Sequence, residues 1–396
     1  MKRTSAIIYP INIRFPMERA NSIQVVNTCR ALAEAGVLVY LLVRHTSELT
    51  EQDMLAFYGL KPHPNLMIKR IPVIKSGNAF IANKSYYLSV LKYIFYLRMA
   101  KRIRVLFLRD LGLAHYLSKV KWLFGFRFIY EAHLISYLFA EHQHELLPDS
   151  KPATDKYKRS LYKKEKCVFR TSDSLIAITH HLKDNLVQQF KVNPERVSVI
   201  PDAADISLYK GVREKRNEII YIGQLYPWKG VATLVRAMKY ITWPLKVIGG
   251  LPWESDLQSL KELAQELGVA DKIEFTGFLR YRDTARHLAK ARISVIPLSD
   301  NIIAREYTSP LKLFESMAAR TAVVASDLPS IREIIQPEFN GMLFEAGNPR
   351  ALAQAVNTLI ERHDLMDKIV ENSFNTVQAY SWEKRASHIK EIIDAL

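Results

Sequence analysis

The chain has 396 residues, 48% of them apolar and 10% aromatic, enough to bury large cores and, at usual domain sizes, to form about two domains. Its two cysteines, Cys29 and Cys167, exclude a disulfide framework or a zinc spacing and suit a reducing compartment. The net charge of +16 gains meaning once located: Lys plus Arg outnumber Asp plus Glu 31 to 15 in residues 1–200 and balance at 25 to 25 in residues 201–396.

The first ten residues have too short an apolar core for a signal peptide, and residues 6–9 read as a first strand. Further short apolar, β-branched runs at 39–43, 105–108, 126–130, 174–179 and 197–200 alternate with helical segments. The second half repeats the plan with runs at 218–222, 245–248, 273–275, 293–297, 322–325 and 342–344. Such alternation predicts an α/β chain of two Rossmann-like domains, each with a parallel sheet covered on both faces. The boundary falls near Pro201-Asp-Ala-Ala-Asp-Ile, giving domains at 1–204 and 205–378 and a last helix, about 379–396, that crosses back onto the first. Ligands are expected at the carboxyl ends of the strands, in the cleft between the domains.

Within residues 61–130 the cations outnumber the anions 14 to 1 and are interleaved with Tyr86, Tyr87, Tyr93, Phe95, Tyr96, Phe107, Trp122, Phe124 and Phe126. Such a surface fits an anionic partner. No helix-turn-helix, zinc-finger or RNA-recognition signature is present, so a membrane surface is favoured over nucleic acid. The alternative is that the aromatics are core and the cations solvate an outer face. No apolar run reaches the ~18 residues of a membrane span; the nearest, 86–99, is interrupted by Lys92 and Arg98.

Two segments of the second half read as anion sites. In Ser309-Pro310-Leu311-Lys312, Ser309 fits an N-cap, Pro310 the first helical position, and Lys312 stands at N3, where Glu or Gln is normal. A cation there opposes the helix dipole unless an anion lies between it and the free amides. Gly223-Gln-Leu-Tyr-Pro-Trp-Lys229-Gly230 repeats the oddity, placing Lys229 after a strand and before a helix. The alternative reading is of lysines pointing into water. Asp-x-Asp metal spacing is absent from any plausible site, and Glu141-His-Gln-His-Glu145 is expected on a solvated loop before Pro148.

Gly223-x5-Lys229-Gly230, the segment ending at Glu315 and the run from Ser316 to Asp327 resemble the retaining nucleotide-sugar glycosyltransferases of family 4, in the branch that reads Thr-Ser-Pro-Leu-Lys-Leu-Phe-Glu. The resemblance implies the GT-B fold, with donor held by the second domain and acceptor by the first. It assigns catalytic roles to His133, Lys229 and Glu315: Lys229 on the donor phosphates, Glu315 on the ribose and His133 on the transferred sugar. The amides of Leu311 and Lys312 would take the β-phosphate, with hydroxyls from Ser309 or Thr308, beside Gly223 and Gln224. The family's first glutamate is Tyr307 here, with Glu306 one position off. Gln224 replaces an arginine and Pro310 a glycine, and Arg14, Arg19 or Asn21 would stand in for a glycine pair in the acceptor loop.

The implied function is a metal-independent hexosyltransferase without cofactor. It would move sugar from a UDP- or GDP-sugar to a lipid-linked glycan or surface polysaccharide, as in lipopolysaccharide biosynthesis. Its expected place is cytoplasmic, peripheral at the inner face of the membrane, with no nucleic-acid partner. The competitors are a nucleotide-sugar epimerase of the same fold and a non-catalytic anion- or lipid-binding relative.

Overall fold

The computed structural model describes residues 5–17, 19–45, 48–74, 76–101, 103–146, 151–209, 211, 214–251 and 254–396. They form two compact units. One comprises Met1–Ala140, Ala153–Pro201 and Trp382–Leu396, the other Glu141–Pro152 and Asp202–Ser381.

The first unit holds β1 (Ala6–Pro10), β2 (Leu38–Arg44), β3 (Leu66–Ile71), β4 (Val105–Leu108), β5 (Arg127–Ala132), β6 (Ser174–Ala177) and β7 (Val197–Val199). All pair in parallel, in the order β3-β2-β1-β4-β5-β6-β7. Strand β4 is buried throughout, as expected of a parallel strand covered on both faces. The last helix, Trp382–Ala395, packs on the helix Ala20–Glu34 and buries Trp382, Arg385, Ala386, Ile389 and Ile393, which share one helical stripe.

The second unit holds β8 (Arg216–Ile222), β9 (Leu245–Ile248), β10 (Ile273–Gly277), β11 (Ala291–Ile296), β12 (Ala322–Ser326) and β13 (Met342–Phe344) in the order β10-β9-β8-β11-β12-β13. One cluster of buried side chains includes Leu234, Val235, Val356 and Leu359, and a second includes Leu288, Leu313, Phe314 and Met317. In each sheet the chain steps outward for three strands and then returns to the far side of the first, which leaves a switch point beside β1 and beside β8.

Three expectations need correction. Strand β3 was not among the expected strands; it is an edge strand that carries Lys69 and Arg70. Residues 141–145 lie in the helix Ser136–Leu146 rather than on a loop, while Pro148 is outside the described residues. The aromatics of 61–130 divide: Tyr86, Phe107 and Phe126 are core, whereas Phe95, Tyr96 and Trp122, the last 80% exposed, are not. Among the described residues no helix is long and apolar enough to cross a membrane.

Candidate functional site

At the switch point of the second unit, the loops after β8 and β11 are bonded together. Ser299 N donates to Trp228 O at 3.0 Å, and Gly230, at φ 71°, passes so close that a Cβ there would lie 1.7 Å from Pro297 O. Only glycine tolerates both conditions. The loop after β9 joins them, because a Cβ on Gly249 would meet Gly223 O at 1.8 Å. Lys229 ends the single turn Pro227–Lys229 in this crowded place, with Nζ 3.8 Å from the centre of the Trp228 ring. It makes no ion pair among the described residues. Burial of the ammonium lowers its pKa to about 8. Gln224 is exposed and donates to Tyr226 Oη at 3.4 Å.

After β11 the short helix Ile302–Glu306 leads to the helix Leu311–Ala318. That helix starts one residue later than expected: Pro310 occupies the N-cap, and Lys312 is at N2. Ser309 does not cap it. Its hydroxyl accepts from Asp202 N at 3.0 Å and keeps its own proton free to donate. Thr308 is buried and has already donated to Ile303 O at 2.8 Å, so its hydroxyl can offer a ligand only an acceptor. The amides of Leu311 and Lys312 open the helix without intrahelical partners. Half-buried Glu306 and buried Tyr307 immediately precede this stretch.

Glu315 is 2% exposed, and Lys312 Nζ lies 2.5 Å from its Oε2. Lys312 is therefore not the lone cation that its position suggested; the carboxylate one turn later partners it. The Tyr281 hydroxyl also bonds Glu315. The phenols of Tyr209 and Tyr281 titrate well above their usual range, first from burial and then from the facing Glu315 charge. Glu315 is thus enclosed by two tyrosines and a lysine.

In the first unit, β5 ends in Glu131-Ala132, and His133 follows it directly. Glu131 is wholly buried, yet its pKa lies well below the usual carboxylate range: burial raises it, but Arg385, the His133 charge and hydrogen bond, and Arg109 outweigh that. Its Oε1 is 2.5 Å from His133 Nε2 and accepts from Gln24 Nε2 at 2.6 Å, while Oε2 is 2.9 Å from Arg385 Nη2. Arg385 Nη1 also donates to the carbonyls of Ile200 at 2.7 Å and Pro201 at 2.5 Å. Arg14 and Arg19 are exposed, Asn21 is half-buried, and the bonds described for this network run between other residues.

The helix Ser136–Leu146 follows His133 and is plugged at its start by Glu165, which accepts from the amides of Ser136 and, at 3.3 Å, Tyr137. Burial raises the Glu165 pKa to about 7 against those bonds. The native state therefore binds more protons than the unfolded state between roughly pH 4.5 and 7, and its stability falls across that window by up to about 3 kcal/mol. Glu165→Gln should flatten this slope. Denaturant unfolding of both proteins at about pH 5 and pH 7.5 checks it, and parallel slopes would refute it.

Two family models match successive parts of the chain: glycosyltransferase family 4 over residues 22–208 and glycosyl transferases group 1 over residues 203–376. The chain belongs to the family 4-like glycosyltransferases. An uncharacterized glycosyltransferase of Methanocaldococcus jannaschii is 24% identical to it over 247 residues, covering 58% of this chain and 60% of that protein. The chain thus spans about three fifths of the length of the curated relatives it matches. Among solved structures, the sucrose-phosphate synthase of Thermosynechococcus elongatus superposes with a TM-score of 0.76 at 19% identity, covering 99% of this chain and 98% of that one. The Anabaena protein HepE, solved with UDP, gives 0.73 at 16% identity over 99% and 100%. These likenesses establish the GT-B fold.

Sequence reading of this glycosyltransferase missed Gln24, Arg109, Glu131 and Arg385 around His133, and Tyr209 and Tyr281 around Glu315. The one available signal was Glu131 two residues before His133, which in a strand places both side chains on one face. Among the described residues no group of three His, Cys, Asp or Glu side chains is placed to hold a metal.

Proposed function

We propose that this chain transfers a hexosyl group from a nucleoside-diphosphate sugar to a hydroxyl of a glycan or glycolipid, with retention at the anomeric carbon. The observation that carries the reading is Lys229: a desolvated ammonium without a carboxylate partner among the described residues, at the switch point of a parallel sheet, is built for an anion. HepE, of the same fold, has been solved with UDP-glucose, which supports a UDP-sugar as donor.

In this reading the second unit holds the donor. Lys229 and the amides of Leu311 and Lys312 take the diphosphate, Ser309 donates its hydroxyl proton to it, and Glu315 accepts from the ribose hydroxyls. As the bond from the anomeric carbon to phosphate breaks, charge grows on the leaving oxygens, and these preorganised donors stabilise it. The acceptor oxygen bonds the anomeric carbon from the same face, and its proton passes to the leaving phosphate. His133, held by Glu131, touches the transferred sugar.

The first unit takes the acceptor. Its cations and exposed Phe80, Tyr96, Met99 and Trp122 favour an anionic membrane surface that carries a lipid-linked acceptor. Arg102, in the same basic run, lies outside the described residues.

Incubation with a panel of UDP- and GDP-sugars, with and without anionic vesicles, tests the reading. Slow release of free nucleotide and sedimentation with the vesicles are expected. Sugar interconversion would point to an epimerase, and binding without turnover to a non-catalytic relative.

A further inference from the structure

A second concentration of positive charge lies in the first unit, on helices that contribute nothing to the His133 network described above. The helices Leu111–Ser118 and Asp155–Thr171 pack side by side. Between them is a hollow of about 530 Å³ lined by His115, Lys156, Arg159, Ser160, Lys163 and Lys164. On the longer helix these positions recur at i, i+3, i+4, i+7 and i+8, so they form one face. No carboxylate shares that lining. Asp155 pairs with Lys158 at 3.0 Å and sits near Arg159, and Glu165 is turned inward onto the amides of Ser136 and Tyr137. Lys156, Lys163 and Lys164 make no ion pair among the described residues. Like charges one turn apart destabilise a helix, and a solvated outer face needs no such clustering around a concavity.

His115 adds an independent observation. It is half-buried, and its Nδ1 is buried without a hydrogen-bond partner among the described residues. Burial, then Lys119 and Lys164, hold the imidazole below its ordinary pKa.

We infer that this hollow binds an anionic phosphate group, coordinated by Lys156, Arg159, Lys163 and Lys164, with His115 and Ser160 as hydrogen-bond partners. The volume falls in the range of small-ligand sites. A planar guanidinium with three ammonium groups suits tetrahedral oxyanions. The phosphate comes from a soluble phosphoester or from a phospholipid headgroup, since the chemistry of the lining is common to both. The site uses no residue of the second unit and does not depend on the role assigned to Lys229.

The His115 ring resonance, identified by its loss in His115→Gln, is the reporter in the full-length chain. Titration with inorganic pyrophosphate should move it and raise its pKa. The double variant Lys156→Glu with Lys163→Glu should weaken that response by about tenfold or more. Both side chains are exposed, so the variant should melt as the parent does; Lys156→Gln with Lys163→Gln repeats the test without reversing charge. A second arm uses phosphatidylcholine vesicles with and without phosphatidylglycerol. A response to pyrophosphate identifies a soluble ligand, and a response only to phosphatidylglycerol vesicles, lost in the double variant, identifies a headgroup. If His115 responds to neither, or responds equally in parent and variant, the inference is wrong.

Discussion

Lys229→Met is expected to abolish sugar transfer while leaving the unliganded protein as stable as before or more so. The two effects share one cause. In the free protein the ammonium has an aromatic face beside it and no counter-ion among the described residues, and burial brings its pKa to about 8. An uncompensated charge of this kind costs free energy, and replacing it with an apolar chain of similar length relieves the cost. Because the residue as a whole is only half-buried, solvent screens part of it, and a gain of about 1 kcal/mol is expected. Loss of one preorganised donor to a developing oxyanion typically lowers turnover by about 10²–10³. Single-turnover kinetics with the active nucleotide sugar, alongside denaturant unfolding, measures both. A variant that kept turnover would remove Lys229 from the site, and one that lost stability would show a structural lysine instead.

The pH dependence follows with its sign. Between about pH 8 and 10.5 the unfolded chain holds this proton more tightly than the native one, so native stability rises with pH across that window. A diphosphate needs the protonated form, so its affinity should be flat below pH 8 and fall above it. Stability and binding therefore run in opposite directions, and both slopes should vanish in Lys229→Met.

How much of this was legible in the sequence depends on the range of the interactions. Apolar runs such as 105–108 and 322–325 become buried parallel strands because a strand covered on both faces must be apolar throughout. Leu66–Ile71 escaped because an edge strand is relieved of that demand and can carry Lys69 and Arg70. Gly230 and Lys229 were visible together since a strand, a tight turn and a helix start are adjacent in sequence. The pairing of Lys312 with Glu315 was written there too, at i, i+3, but the argument from helix dipoles weighed Lys312 against the backbone and not against the next turn. The setting of His133 was out of reach. Gln24, Arg109, Glu131 and Arg385 come from four separate elements, and nothing in local pattern says that they converge.

That convergence supports the second large expectation. Arg385→Met should cost about 3–5 kcal/mol, because it leaves the Glu131 carboxylate buried beside His133 and Gln24 with its strongest counter-charge gone. It also frees the carbonyls of Ile200 and Pro201, so the last helix loses its main polar attachment to the end of β7. Arg385→Lys should not restore the parent: one ammonium cannot reach Glu131 and both carbonyls in the fork geometry of a guanidinium. Glu131→Gln should cost less, since the amide oxygen still accepts from Gln24, and the double variant should be more stable than the sum of the two losses predicts by about 1–3 kcal/mol. Turnover separates positioning from mere stability. If Glu131 holds the His133 ring for the transferred sugar, Glu131→Gln will lower kcat by about tenfold or more at temperatures where the fold is intact and will shift the acid limb of its pH profile. A variant that melts lower yet keeps the parent kcat and pH profile would reduce the whole network to a clasp for the last helix.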